Sequence, residues 1–285
     1  MKKVIFYLAI MLITVFLQPA IGQNTMGAEK LGWKIGSQAY TFRVFTLEEA
    51  LDKMNSLGLK YVELYGNQKI GAGIEGTTDF KMSDEKRQQV KALLKSKGIT
   101  PVCFGVSSPD NPEDWRKLFE FAKDMGIGIL TSEPQYNQLD LVEELCEEYQ
   151  IKVAIHDHPI PSKYWHPEIP MRLLEGRSPL IGVCADIGHW VRSGLDPVEC
   201  LKKVQDRLIS FHFKDLKDFG IRNTHDVPWG SGVSNIPGVL NTMKDIGFEG
   251  PISIEYEHNW ENSVPEIKES LDYFHRVANA LAERE

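Results

Sequence analysis

The sequence predicts an α/β protein with a single (β/α)8 TIM barrel, and three observations support this fold class. Eight short β-rich runs alternate with amphipathic helical patterns. The repeat is roughly 30 residues, the size of a βαβ unit. Several runs end in acidic or imidazole side chains, as expected where barrel strands converge on an active site. An open doubly wound sheet is the alternative, but no glycine-rich dinucleotide loop follows the first strand.

The predicted strands are short and bounded by turn residues. They cover 34–40, 61–65, 100–106, 128–132, 152–156, 181–186, 208–214 and 251–256. The first helix is predicted to begin at Thr46, because Glu49 three residues later completes a capping box, and to end at Gly58. Further helices are predicted over 83–97, 112–125, 139–149, 197–204, 236–246 and 265–282. Three long connections, 66–83, 158–170 and 217–233, follow strands and are expected at the rim of the barrel.

The N-terminus reads as a targeting segment. Lys2 and Lys3 precede an apolar run over 4–17, and small residues stand at Ala20 and Gly22. This pattern is typical of a signal peptide over 1–22, followed by a polar leader over 23–32 and the barrel over 33–285. We expect a periplasmic or secreted protein without a stable membrane span after cleavage, the alternative being an uncleaved anchor.

The composition of the chain bears on which classes of molecule it binds. The formal net charge of -8 argues against a nucleic-acid backbone as a ligand. A small carbohydrate is the expected partner, and a homo-oligomer is compatible with the sequence. The four cysteines lie within predicted strands and helices and are expected to be buried free thiols.

The acidic and imidazole side chains at the strand ends predict a metal centre. Residues two apart in a strand share a face, so these groups are expected to point to the barrel axis. Burying them without compensation is costly, and a cation removes that cost. Mixed imidazole and carboxylate ligands suit one divalent ion, Mn, Co, Fe or Zn. Asp186, His212 and Glu255 are the main candidate ligands, with His156 and Glu133 as further candidates; a hydrogen-bond network without metal is the alternative.

The same faces carry candidates for acid–base catalysis. His156, His158 and Lys214 are the candidate bases, and the sequence does not rank them. We expect an inward lysine beside a cation to have a lowered pKa; the alternative is an ion pair with Asp215 or Glu257.

Four further side chains are candidate substrate contacts. Glu63 is expected to hold a sugar hydroxyl or to pair with a lysine. His189, one turn after Asp186, is a candidate outer ligand or hydroxyl partner, and the alternative is a histidine at a helix start that bonds to the backbone. Trp229 is expected to offer a flat face to a sugar ring, with loop packing as the alternative. Glu257 shares a strand face with a candidate ligand.

Three motifs, DIGH (186–189), HFKD (212–215) and IEYE (254–257), resemble the strand ends of the xylose-isomerase-like barrel superfamily. That group includes sugar isomerases and epimerases, inosose dehydratases and apurinic endonucleases. The resemblance extends over about 33–274. It implies a divalent metal that binds substrate oxygens, with Asp186, His212 and Glu255 as ligands and His189 as a substrate contact.

One departure from the family pattern bears on the reaction. Epimerases of this group carry a glutamate at the end of strand five, whereas IHDHP places His156 there, which resembles inosose dehydratases. Exported relatives with this pattern resemble lyases that eliminate the C1 substituent of 3-keto-glycosides. The resemblance therefore implies such a lyase. A sugar isomerase or epimerase and a non-catalytic sugar-binding barrel are the alternatives.

Overall fold

A computed structural model describes residues 26–284, in which eight parallel strands close into a barrel. The barrel strands are β1 (Trp33–Gln38), β2 (Tyr61–Leu64), β5 (Thr100–Phe104), β6 (Ile129–Ser132), β7 (Lys152–His156), β8 (Ile181–Asp186), β9 (Leu208–Phe213) and β10 (Gly250–Ile254). Around the barrel they follow the order β1-β10-β9-β8-β7-β6-β5-β2. The predicted single (β/α)8 barrel is confirmed, and the predicted signal peptide over 1–22 lies outside the described residues.

Helices cover the outside of the barrel. They are α1 (Met26–Lys30), α2 (Leu47–Ser56), α3 (Asp84–Ser96), α4 (Pro112–Met125), α5 (Leu139–Tyr149), α6 (Glu168–Leu173), α7 (Ile187–Arg192), α8 (Pro197–Val204), α9 (Ile236–Asp245) and α10 (Val264–Ala282). The predicted capping box starts α2: the Thr46 hydroxyl accepts from the Glu49 backbone N–H, and the Glu49 carboxylate accepts from the Thr46 backbone N–H at 2.8 Å. Within 26–284, none of the helices is long and apolar enough to cross a membrane.

The segment expected to be a polar leader is partly structured. Its described part includes α1, where Gly27 and Ala28 are buried. The Gly27 backbone N–H donates to the Asn279 side chain on α10 at 2.8 Å, and a Cβ at Gly27 would lie 2.5 Å from the Asn279 backbone. The absent side chain lets the two helices touch, so the described part of the expected leader packs on α10.

Two rim connections contain structure that the sequence pattern did not predict. The 66–83 connection folds into a hairpin of β3 (Lys69–Gly71) and β4 (Ile74–Thr77), and α6 lies in the 158–170 connection and beyond it. Five predicted strands extended past the sheet: residues 39–40, 65, 105–106, 214 and 255–256 lie beyond the observed strands. These strand ends instead carry side chains into the barrel mouth. The four cysteines are free and buried, as predicted.

Candidate active site

Four neighbouring strands each supply one buried side chain to a single cluster at the barrel mouth. His156 ends β7, Asp186 ends β8, His212 lies on β9 and Glu255 directly follows β10. One nitrogen or carboxylate oxygen from each residue lies within 4.8 Å of the corresponding atoms of the other three. Because these strands are adjacent in the barrel, the order of the chain alone brings the four groups together.

The four atoms fit a divalent cation. His156 Nε2, Asp186 Oδ2, His212 Nδ1 and Glu255 Oε2 are all buried without a hydrogen-bond partner among the described residues. Leaving a buried polar atom unpaired costs about 1–3 kcal/mol, so four at one point are unfavourable unless a ligand joins them. Two imidazole nitrogens and two carboxylate oxygens form a donor set typical of Zn, Mn, Fe or Co. We name these four residues the metal cluster.

Neighbouring side chains of the protein stabilise the ionised forms of His156 and Glu255 in this cluster. Burial lowers the pKa of His156, but its contacts with Asp186 and Glu133 outweigh burial and raise that pKa to about 10. Burial raises the pKa of Glu255, but the Lys214 ammonium outweighs it and holds that pKa well below its usual range. A cation would therefore meet carboxylates that are ionised and would replace protons on the imidazoles.

Glu63 binds His212 of the metal cluster from a position deeper in the barrel. Its carboxylate is fully buried and accepts hydrogen bonds from His212 Nε2 at 3.0 Å, Ser253 Oγ at 2.7 Å and Thr131 Oγ1 at 2.6 Å. The bond to Nε2 leaves His212 Nδ1 free to bind a metal, a common arrangement in metal sites. The predicted contact of Glu63 with a sugar hydroxyl is wrong, because protein donors occupy its carboxylate.

The Glu63→Gln variant is expected to bind a divalent ion about 10–100-fold more weakly than the wild type. The glutamine amide no longer supplies the charge that fixes the His212 ring. Titration of Mn²⁺ into metal-free protein measures the effect, and Glu261→Gln on the surface is the matched control. An unchanged dissociation constant for Glu63→Gln would contradict this role.

Glu133 joins two imidazoles at the edge of the metal cluster. Its Oε1 lies 3.1 Å from His156 Nδ1, accepts from the His158 backbone N–H at 3.1 Å and contacts His158 Nδ1. Burial raises the pKa of Glu133, but the two histidines outweigh it and hold that pKa far below its usual range. Glu133 lies outside the metal cluster, but with His156 and His158 it forms a second group whose atoms lie within 4.8 Å of one another and could hold a metal ion, so its role as a ligand stays a prediction. Without a metal it orients His156 and His158 as an ionised carboxylate.

His158 has the geometry of a general base. With Nδ1 directed to Glu133, only Nε2 is left for another partner, and 51% of the side chain is exposed where it lines the cavity. A carboxylate behind an imidazole holds it in the tautomer that accepts a proton at the outer nitrogen. His156 also lines the cavity, but its free Nε2 belongs to the metal cluster, so of the three candidate bases only His158 has a free nitrogen outside that cluster and an exposed side chain.

Lys214 is fully buried among carboxylates. Its Nζ lies 2.8 Å from Glu255 Oε2 and 3.0 Å from both Asp186 Oδ2 and Glu257 Oε2. Burial lowers its pKa, but these carboxylates outweigh burial and raise the pKa well above its usual range. Among the protein's own groups Lys214 is therefore an ammonium, and the lowered pKa expected beside a bound cation stays a prediction. Of the two predicted ion pairs, the one with Glu257 is present.

The next turn of α7 adds His189 and Arg192. His189 Nδ1 lies 3.2 Å from the Arg192 guanidinium, which donates to Glu257 Oε2 at 2.8 Å. Burial holds the pKa of His189 well below its usual range, so this imidazole is neutral. Sequence reasoning missed Arg192; the signal was its position three residues after His189, which places both on one face of a helix.

Trp229 does not lie in the cavity. It is 2% exposed and its ring packs on Phe213, with the ring centroids 4.7 Å apart. Its loop is held by Asp215, whose carboxylate accepts from the backbone N–H groups of Gly230 and Gly232 at 2.8 and 2.9 Å. The predicted stacking of Trp229 on a sugar is wrong, and the loop-packing alternative is confirmed.

The cavity over the metal cluster has a volume of about 600 Å³ and two unlike sides. Its ionisable side follows β7, β8 and β10 and carries His156, His158, His189, Arg192, Glu255 and Glu257. Its aromatic side follows β1, β2 and β5, which are neighbours in the barrel, and carries Tyr40, Tyr65 and Phe104. Such a volume suits a ligand larger than one sugar ring.

Asp226, on the 217–233 connection, predicts a pH effect on stability. Burial raises the pKa of its carboxyl to about 7, and the nearby Lys214 and Arg192 only partly offset this. The unfolded side chain has a pKa of about 3.9. The folded state therefore holds a proton that the unfolded state releases, and this group lowers stability as pH rises from about 4 to about 7.

In Asp226→Asn this loss is absent, so the melting temperature of the variant relative to wild type is expected to rise between pH 4.5 and pH 8. Thermal unfolding at both pH values measures it, with exposed Asp206→Asn as the control. Identical pH profiles for Asp226→Asn and wild type would contradict the buried carboxyl's role.

A family model described as a xylose isomerase-like TIM barrel matches residues 51–277. The chain belongs to this family. A solved structure of an uncharacterised protein from Parabacteroides distasonis is 40% identical, with a TM-score of 0.72 over 86% of this chain and 99% of that one. An inosose isomerase from Bacillus licheniformis is 23% identical over 82% of this chain and 94% of its own length.

Two further relatives are matched over a smaller share of their own length. An inosose dehydratase from Clostridium beijerinckii is 22% identical over 65% of this chain and 59% of that protein. The chain spans about half, 52%, of an uncharacterised protein from Methanocaldococcus jannaschii, which is 28% identical over 53% of this chain. A solved structure of the IOLI protein with bound zinc shares the fold at a TM-score of 0.68 and 16% identity, over 87% of this chain and 98% of that one.

Proposed function

We propose that this protein is an exported, metal-dependent lyase that removes the C2 proton of a 3-keto-glycoside and eliminates the C1 substituent. The observation that carries the proposal is the position of His158. It is an imidazole held by an ionised carboxylate, and it lines the same cavity as the metal cluster. Relatives named inosose isomerase and inosose dehydratase support chemistry beside a ring ketone.

A divalent ion at the metal cluster would polarise the ketone and an adjacent hydroxyl of the sugar and so make the neighbouring C–H acidic. The residues of the chain perform the proton transfer. His158 Nε2 accepts the C2 proton, and Glu133 stabilises the imidazolium that results. The C2 electron pair forms the C1=C2 double bond as the C1–O bond breaks, and the imidazolium returns the proton to the departing oxygen.

The other candidate bases have different roles in this scheme. His156 is buried within the metal cluster, so its free nitrogen faces the cluster atoms rather than a sugar C–H. Arg192 lines the cavity as a cation and favours negative charge on substrate oxygens, whereas Lys214 is buried behind the lining against three carboxylates. Acid–base help from one positioned group is typically about 10²–10⁴-fold in rate, which we assign to His158.

Release of a chromogenic leaving group tests this function. Purified protein is analysed for metal and mixed with 4-nitrophenyl 3-keto-β-glucoside, and we expect 4-nitrophenol and an ultraviolet-absorbing enone. Chelation should stop the release, and added Mn²⁺ or Co²⁺ should restore it. Metal-loaded protein that releases no leaving group from either anomer would contradict the lyase proposal.

An isomerase or epimerase is the second candidate, because the inosose isomerase matches this chain over 94% of its own length. It shares the proton abstraction but returns the proton to carbon. Interconversion of free keto-sugars without release of 4-nitrophenol would favour it. A protein whose chelation changes neither turnover nor melting temperature would instead be a sugar-binding barrel.

Export is the remaining part of the proposal and depends on the pattern over 1–22. Expression of the full chain in a Gram-negative host, followed by N-terminal sequencing of the periplasmic fraction, tests it. A mature chain beginning near Gln23 is expected. An intact chain that stays in the cytoplasmic fraction would contradict export.

A further inference from the structure

Lys214 contacts two of the four atoms that make up the metal cluster. Its Nζ is 3.0 Å from Asp186 Oδ2 and 2.8 Å from Glu255 Oε2. Both oxygens nevertheless lack a hydrogen bond of acceptable geometry, so the contacts are coulombic. The ammonium thus neutralises part of the negative charge that a divalent ion would use.

The position of the ammonium is set by packing. A Cβ at Gly188 would lie 2.7 Å from Lys214 Cβ and 3.0 Å from its Cδ, so the lysine stem lies directly on the backbone of α7. Beyond the cluster, Nζ donates a hydrogen bond to Glu257 at 3.0 Å, and Arg192 holds the same carboxylate. Lys214 therefore has a permanent partner that is not one of the four cluster residues.

We propose that Lys214 is a built-in counter-cation that competes with the divalent ion for Asp186 and Glu255. This inference rests on the metal centre of the proposed function and not on the reaction that it performs. Two positive charges a few ångströms apart repel each other strongly in a buried site. The lysine therefore weakens metal binding and also keeps the two carboxylates together when no metal is bound, so metal loading is reversible without unfolding.

Metal titration of three variants tests the inference without any substrate. Lys214→Met keeps the length of the stem and removes the charge, Lys214→Arg keeps the charge, and exposed Lys202→Met is the control. We expect the Mn²⁺ dissociation constant of Lys214→Met to be at least tenfold lower than that of wild type. Lys214→Arg and Lys202→Met should stay within about threefold of wild type. A structural role alone would weaken binding in Lys214→Met, which is the opposite sign.

Melting temperature provides a second measurement. Without metal, Lys214→Met should melt below wild type, and saturating Mn²⁺ should raise its melting temperature more than that of wild type. If metal-free Lys214→Met does not fold, it is prepared with Mn²⁺, and the transfer of metal to a chelator should be at least tenfold slower than from wild type.

Equal or weaker affinity in Lys214→Met, or no metal binding by either protein, would overturn the inference. If Lys214→Met binds Mn²⁺ at least tenfold more tightly than wild type while neither protein has lyase activity, the inference on Lys214 is supported and only the proposed reaction is contradicted.

Discussion

Replacement of His158 by glutamine is expected to lower kcat for leaving-group release by about 10²–10⁴-fold, with metal content unchanged. Glutamine keeps a polar side chain at the cavity but cannot take a proton at neutral pH. Because His158 lies outside the metal cluster, the four cluster atoms keep their positions. Steady-state kinetics on the 4-nitrophenyl substrate, together with metal analysis of the same samples, measures both quantities.

Two further variants test whether the fall in kcat is specific to His158 and its contact with Glu133. Glu133→Gln leaves the imidazole in place but removes the ionised carboxylate behind Nδ1, so we expect a smaller fall in kcat than in His158→Gln. His166→Gln changes a histidine on the same connection outside the cavity lining and serves as the control. A His158→Gln enzyme with wild-type kcat would show that another group takes the proton.

Removal of the Asp186 carboxylate is expected to abolish stoichiometric metal binding. Asp186 Oδ2 belongs to the metal cluster, while Oδ1 accepts from the His189 backbone N–H at 2.8 Å and caps α7. Asp186→Ala removes both contacts. Asp186→Asn keeps the cap and the shape but loses the charge, so it separates a lost ligand from a frayed helix.

Both Asp186 variants should lose at least about 100-fold in metal affinity, more than loss of a supporting residue costs in such sites. Both variants lose the buried ion pair with Lys214, and in the absence of metal Asp186→Ala should be less stable than Asp186→Asn by about 0.5–2 kcal/mol for the missing cap. Elemental analysis after dialysis and thermal unfolding with chelator give the two results. Metal content equal to wild type in both variants would contradict the ligand assignment.

The barrel and most of the metal cluster could be predicted from the sequence because strand order and period-two alternation decide them. Asp186 and His212 lie at or near the ends of apolar strands, and adjacent parallel strands in a barrel bring such ends together. His156 follows the same rule. The sequence pattern therefore predicted both the identity and the proximity of these three residues of the metal cluster.

Alternation identifies a face but not the depth along the barrel axis, which explains the error at Glu63. Glu63 points inward as predicted, but it bonds to Ser253, two residues before Glu255 on β10, and so lies below the mouth. Trp229 was misplaced for another reason. Its burial depends on Phe213 and Phe274, which approach it only in the folded chain.

The two unlike sides of the cavity have different expected roles: the ionisable side in proton transfer and the aromatic side in the choice of substrate. The groups assigned to proton transfer and metal binding lie on or after β6 to β10, whereas Tyr40, Tyr65 and Phe104 lie at the ends of β1, β2 and β5. Substitutions on the aromatic side are expected to change which substrates bind without changing the groups assigned to proton transfer. Libraries confined to that side could therefore diversify selectivity while turnover is retained, and divergence among natural homologues would be expected to concentrate there.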